Sequence, residues 1–309
     1  MRSLGIRAAL AGLAGLSLTL TACPDRKDPG AASADAAGEA SVDAARAAAT
    51  APVNALPIPS ASVAAALGAD KLPAYKGPTG SLEGTIFVKG DPAPDVSADF
   101  AKCPSGVKTY GKLFRDGPPN EAGLRPLVDA FVGVTGYSGY YLPETREAKL
   151  VTLEDCAFTQ RTIDLTYGQR LDILNKTNVL FAPALSGFNA PALMVAPPNG
   201  EAVHLYPPKP GYYTMSDRFE GVYLKADVYV VLHPLHTVTD GAGHYRIDGI
   251  PAKTKLNVFA RLAVIGEAST EIEVLPNVVA KADLTLTFAP KDAGAPSKPK
   301  DAGGYVPPK

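Results

Sequence analysis

Four histidines, three cysteines and three methionines are the nitrogen and sulfur donors that this chain of 309 residues can bring to metal or nucleophilic chemistry. His233 and His236 stand three apart, with His204 earlier in the chain, and imidazoles are the usual ligands of zinc and copper. Their spacing argues against a shared ligand role, because residues three apart on a strand point to opposite faces. Hydrogen bonding at a strand end is the plainer expectation. Asp227 and Asp240 suggest a base and its orienter near those histidines, yet nothing in the sequence sets a Ser or Cys beside them. Asp240 reads instead as a turn residue whose carboxylate bonds the backbone of its own hairpin. No nucleophile elbow, phosphate loop, Cys-His pair or paired-carboxylate pattern stands out. No catalytic residue, metal ligand or cofactor is therefore assigned. Tyr137, Tyr140 and Tyr141 share one Gly-rich turn, and Tyr206, Tyr212 and Tyr213 lie near other strand ends. Rings at the end of a β-sandwich are suited to stack on sugars or on a protein, because their area is large and their ordering cost small. Packing of the same rings into the sandwich edge is the alternative.

The N-terminus sets the compartment. Arg2 and Arg7 precede an apolar run from Ala8 to Leu20, which reads as an export signal too short to span a membrane stably. Leu20-Thr21-Ala22-Cys23 resembles a bacterial lipobox, whose cysteine becomes the acylated first residue of the mature chain. Acyl chains on Cys23 would hold the protein to a bilayer at about 0.8 kcal/mol per buried methylene. The alternative is a soluble secreted protein with Cys23 as an unpaired thiol. With Cys23 acylated, Cys103 and Cys156 remain as an even pair in an oxidising compartment, so a disulfide is expected rather than two buried thiols.

Thirty basic against thirty-one acidic residues give a net charge of -1, which gives no reason to expect nucleic acid as a partner. Residues 1–22 read as signal peptide and 23–78 as a disordered Ala-rich tether that cannot bury enough apolar surface to order itself. Alternation begins in the strand Gly80 to Val88, and a long irregular stretch containing Cys103 follows before the strand Leu127 to Val134. Phe158 to Thr166 and Arg170 to Leu174 read as two strands joined by Tyr167-Gly168-Gln169, where Gly168 supplies a positive φ. Four prolines exclude a helix between Phe181 and Pro198. His233 to Ala252 reads as a hairpin turning at Asp240-Gly241-Ala242-Gly243, and three more strands end at Phe288. The tail 289–309 repeats Lys-Asp-Ala-Gly among prolines and reads as disordered.

Two resemblances cover most of the strand-rich region. Leu150 to Asn178 resembles the middle of a cupredoxin. His233 to Ala252, with Thr239-Asp240, Gly243, the aromatic Tyr245 and a strand ending Ile250-Pro251-Ala252, resembles a carboxypeptidase regulatory-like, transthyretin-type sandwich. Gly80 to Val88 and Leu127 to Val134 look like the first strands of that same module. The chain is thus similar to exported bacterial proteins that join the two. The resemblance implies an all-β fold: a cupredoxin-like Greek-key sandwich, assigned to 79–232 together with the opening strands, joined to a carboxypeptidase regulatory-like module at 233–288. A blue copper centre needs two imidazoles and a thiolate with a weak axial thioether. Laid on this chain by spacing, those ligand positions fall on Phe181, Arg218, Gly221 and Leu224, and no cysteine follows Cys156. The copper site is expected to be absent. The function this implies is a non-enzymatic envelope lipoprotein that binds or scaffolds another envelope protein or a polysaccharide, lipid-anchored to a bacterial membrane. The competing class is a metal-binding electron carrier, or an enzyme acting on polysaccharide through an unrecognised site.

Overall fold

The computed structural model describes residues 58–143, 148–187, 194–219 and 225–290. The signal segment, Cys23, most of the Ala-rich stretch, Gly221, Leu224 and the tail beyond 290 lie outside the described residues. In chain order the elements are helix α1 (Ser60–Leu67), strand β1 (Thr79–Gly90), a one-turn helix α2 (Val107–Tyr110), β2 (Arg125–Pro126) and β3 (Phe131–Thr135). There follow β4 (Lys149–Glu154), β5 (Ala157–Phe158), β6 (Thr162–Thr166), β7 (Leu171–Asn175), β8 (Pro183–Leu185), β9 (Val203–Leu205), β10 (Gly211–Asp217) and β11 (Lys225–Val231). The last six are β12 (His236–Val238), β13 (His244–Pro251), β14 (Lys255–Leu262), β15 (Gly266–Glu273), β16 (Val279–Lys281) and β17 (Leu284–Phe288). The fold is all-β, as alternation along the chain suggests, and among the described residues its sheets close no barrel.

Two apolar clusters organise these strands. The first gathers Leu82, Ile86, Leu127, Val132, Val258 and Leu286 between the sheet that β1 forms with β13, β16, β17 and β2 and the sheet β12-β3-β14-β15. The second gathers Phe158, Ile163, Leu165, Ile173, Met215 and Val228 between the sheets β6-β11-β10-β8 and β5-β4-β7-β9. The first core is thus closed by both ends of the chain, and the second is inserted between β3 and β12. Division at residue 232 does not match this pairing, because β1 runs antiparallel to β13, with Gly84 opposite Tyr245, and parallel to β17. Gly84 is required there: a Cβ at this position would lie 2.0 Å from the Ala282 carbonyl oxygen.

Two expected hairpins are corner crossings instead. β6 pairs in parallel with β11 while β7 pairs in parallel with β4, so Tyr167-Gly168-Gln169 carries the chain from one sheet to the other. Likewise β12 pairs with β3 and β13 with β1. Alternation reports which face of a strand is buried, not which neighbour it bonds. The turn chemistry itself is as expected: Gly168 has φ 94°, and Asp240 Oδ1 accepts the amides of Ala242 and His244 at 2.8 and 2.9 Å.

The stretch 58–78 is structured rather than a continuation of the tether. Helix α1 ends on Gly68 in the left-handed region. Ile58, Val63 and Ala66 pack on the second core, whereas Tyr75 packs on the first and donates its amide to the Tyr141 carbonyl at 2.9 Å. Three apolar contacts suffice because the surface beneath them is already formed. A Cβ on Gly168 would sit 2.8 Å from Val63 and force a positive φ on an L residue. Gly168→Ala is expected to cost about 1–2 kcal/mol and to displace α1. Faster proteolytic cleavage within 58–67, at unchanged resistance of the strands, checks this.

Cys103 and Cys156 form the expected disulfide, which ties the long 91–124 segment to the turn between β4 and β5. Cys103 and Tyr110 lie in the second core, and the Tyr110 hydroxyl donates to the Lys225 carbonyl at 2.7 Å.

Candidate functional site

Several buried polar groups, among them Asp164, Thr166 and His236, lie where the two sandwiches meet. β6 is buried at all five positions, and in its centre stands Asp164, 2% exposed. A carboxylate in a strand interior away from water is tolerated only with partners. It has them from two directions: Lys149 at the start of β4 forms an ion pair, and His236 on β12 places Nδ1 2.8 Å from Asp164 Oδ2. The other ring nitrogen, His236 Nε2, lies 2.9 Å from Thr166 Oγ1, two residues along β6 and fully buried. Nδ1–H donates to Asp164 in either protonation state; Nε2 accepts the threonine hydroxyl when the ring is neutral and donates to Thr166 Oγ1 when the ring is protonated, leaving that hydroxyl to the His233 carbonyl at 3.5 Å. Burial pushes the Asp164 carboxyl up, but hydrogen bonding and charge from His236 and Lys149 outweigh it and hold the group well below the usual carboxylate range.

Hydroxyl, imidazole and carboxylate in this order form the geometry that activates a nucleophile in hydrolases. The surroundings bury all three groups. His236 stacks on Phe131 with centroids 6.0 Å apart, Phe131 in turn stacks on Tyr229 at 4.7 Å, and Thr166 Oγ1 has no exposed face from which to meet a carbonyl carbon. What the array does is join β6 of the inserted sandwich to β12 of the outer one.

The histidines are not arranged as the spacing suggested. Pro234 interrupts the strand, so His233 precedes β12 and its ring centroid comes within 6.5 Å of that of His236 rather than facing the opposite way. His204 pairs instead with Asp172, its Nδ1 2.7 Å from Asp172 Oδ1, and its side chain is exposed. Among the described residues no three His, Cys, Asp or Glu side chains converge as a metal would need. The position laid on the first copper histidine, Phe181, is a fully buried phenyl ring set edge-on against Phe158 at 5.4 Å. Arg218, at the position of the copper cysteine, is exposed.

The tyrosines divide. Tyr137 and Tyr140 stack at 5.4 Å, and Tyr140 leans on Tyr75 at 4.6 Å; both turn rings are partly buried against the first core. Tyr141 is held through its backbone to Pro73 and Tyr75. Tyr213 is in the second core, and Tyr206 is half-buried. Tyr212 alone of the six is exposed, at 50%. Its hydroxyl donates to Asp227 at 2.6 Å, and burial together with that carboxylate pushes the phenol up to about 12. Asp227 itself is raised, by burial first. The six therefore do not form one surface.

Asp164, Thr166 and Lys149 were not singled out from the sequence. The available signal was an aspartate inside the run Thr162-Ile163-Asp164-Leu165-Thr166, a residue type depleted from strand interiors. Its partner lies 72 positions away.

No family model matches the chain, and no curated protein matches it. Solved structures similar to part of it include a mutant of amicyanin in the reduced state, with TM-score 0.24 and 15% identity over 27% of this chain and 81% of that one. A second amicyanin mutant gives TM-score 0.24 and 14% identity over 28% and 85% of the respective chains. A copper-containing nitrite reductase from Thermus scotoductus gives TM-score 0.23 and 17% identity over 31% of this chain and 25% of that one.

Proposed function

We propose that this chain is a non-enzymatic binding or scaffolding module of a bacterial cell envelope, lipid-anchored through Cys23, in which a cupredoxin-like sandwich without copper is inserted into a carboxypeptidase regulatory-like one. The observation that supports the non-enzymatic reading is the burial of the Thr166–His236–Asp164 array: all three side chains are buried at a joint between sandwiches, and the Thr166 hydroxyl has no exposed surface, although His236 also borders a cavity of about 510 Å³. A phenyl ring packed in the core at Phe181 supports the reading without copper. The Leu20-Thr21-Ala22-Cys23 run supports the anchor.

Crosslinking in intact cells, followed by identification of the attached species, tests the binding role. One envelope protein or polysaccharide recovered reproducibly supports it; full-length protein that crosslinks to nothing under several chemistries counts against it. Stoichiometric copper or zinc in the purified protein would replace it with the electron-carrier reading. Cys23→Ala is expected to move the protein from the membrane to the soluble fraction, since acyl burial is the only large hydrophobic anchor proposed. Fractionation and immunoblotting read the outcome, and continued membrane association of the variant would remove the anchor.

A further inference from the structure

A second polar cluster bridges the two sandwiches. Arg115 clamps Asp129 through two nitrogen–oxygen contacts of 2.6 Å, and the amide of Arg161 also donates to Asp129 at 3.2 Å. The Arg161 guanidinium lies over the Tyr110 ring and donates to the Lys112 carbonyl at 2.9 Å. Asp227, opposite Thr162 in the parallel β6–β11 pair, accepts the Tyr212 hydroxyl at 2.6 Å. Between these groups is a partly open cavity of about 20 Å³, lined by Asp129, Arg161, Thr162 and Asp227 and bordered by Leu262 and Val264 of the outer sandwich. Thr162 is 1% exposed, and its hydroxyl has no hydrogen-bond partner among the described residues.

A buried hydroxyl left without a partner is costly, and native interiors avoid it. We propose that this cavity is a binding site for one ordered water, which accepts from or donates to Thr162 Oγ1 and donates to the Asp227 carboxylate, completing the joint between the inserted and the outer sandwich. The size fits: a buried water needs roughly 10–15 Å³ of such space and two to four polar partners. The charge selects a neutral occupant. Two guanidiniums, Arg115 and Arg161, stand against two carboxylates, Asp129 and Asp227, so a cation gains no net attraction and would lose its hydration shell. Asp129 is moreover fully engaged by Arg115 and cannot turn towards a metal without abandoning it.

The test is a crystal structure of the wild-type protein to about 1.5 Å, with parallel crystals soaked in a rubidium salt, and a carboxyl-carbon NMR titration of Asp227 in the wild type, Thr162→Val and Thr162→Ser. The site predicts a single peak at hydrogen-bond distance from Thr162 Oγ1, no anomalous signal after the soak, and loss of the peak in Thr162→Val. Removing the water removes a donor to the ionised carboxylate, so Asp227 is expected to titrate roughly one pH unit higher in Thr162→Val. Thr162→Ser should stay near the wild type. A rubidium peak would make the occupant a cation. A cavity without density, a Thr162 hydroxyl bonded to a protein acceptor, or identical Asp227 titrations in all three proteins would each overturn the proposal.

Discussion

Replacing Asp164 with alanine is expected to lower stability by about 3–5 kcal/mol at neutral pH, the usual result of removing one member of a buried pair. The substitution strips His236 of its buried Nδ1 acceptor, and it leaves Lys149 facing the seam without its counter-charge. It also opens a small void in β6, every residue of which is buried. Urea unfolding at pH 7 measures the loss; a change below about 1 kcal/mol would mean that the array contributes little. The acid limb gives an independent check. The folded carboxyl lies below its ordinary range, so its contribution is present above the unfolded value of about 4 and fades as pH falls below that. The stability difference between wild type and Asp164→Asn should therefore shrink steadily on acidification. A difference that grows towards low pH would contradict the assignment of Asp164 as the ionised partner.

Removing the disulfide is the second large effect. The bond joins positions 53 apart, so on the chain-entropy account it withdraws about 4 kcal/mol of freedom from the unfolded chain. The Cys103→Ala/Cys156→Ala protein is expected to lose about 2–4 kcal/mol in urea. The damage should be local as well as global. Cys103 is fully buried in the second core beside Tyr110, and the irregular stretch that carries both has few strand hydrogen bonds of its own. Hydrogen exchange at Gly106 and Gly111, whose amides bond within this segment, should accelerate before that of β10 and β11. Uniform acceleration over the whole chain would show instead that the segment holds the seam closed.

How much of this was legible in the sequence follows from the range of the forces involved. Local chemistry was readable: strand alternation, the positive φ at Gly168, the Asp240 turn and the even cysteine pair each depend on a few neighbouring residues or on parity. Partner choice was not. β6 and β7 alternate as hairpin strands do, yet they pair with β11 and β4, because sandwich corners and hairpins put the same residue types at the turn. The joint was hidden for the same reason. Asp164 and His236 are unremarkable singly, and only the fold that inserts one sandwich into another brings β6 against β12. The stretch 58–78 misled through composition: alanine-rich sequence does not order itself, but Val63 and Tyr75 bind it to surfaces made by distant strands.

The most direct test of whether the Thr166–His236–Asp164 array is a lock rather than a reaction centre is exposure of the native protein to a fluorophosphonate, read by intact mass and peptide mapping. An activated hydroxyl with access would displace fluoride and keep the phosphonyl group. A lock predicts the unmodified mass after prolonged exposure; an adduct mapped to Thr166 would contradict it.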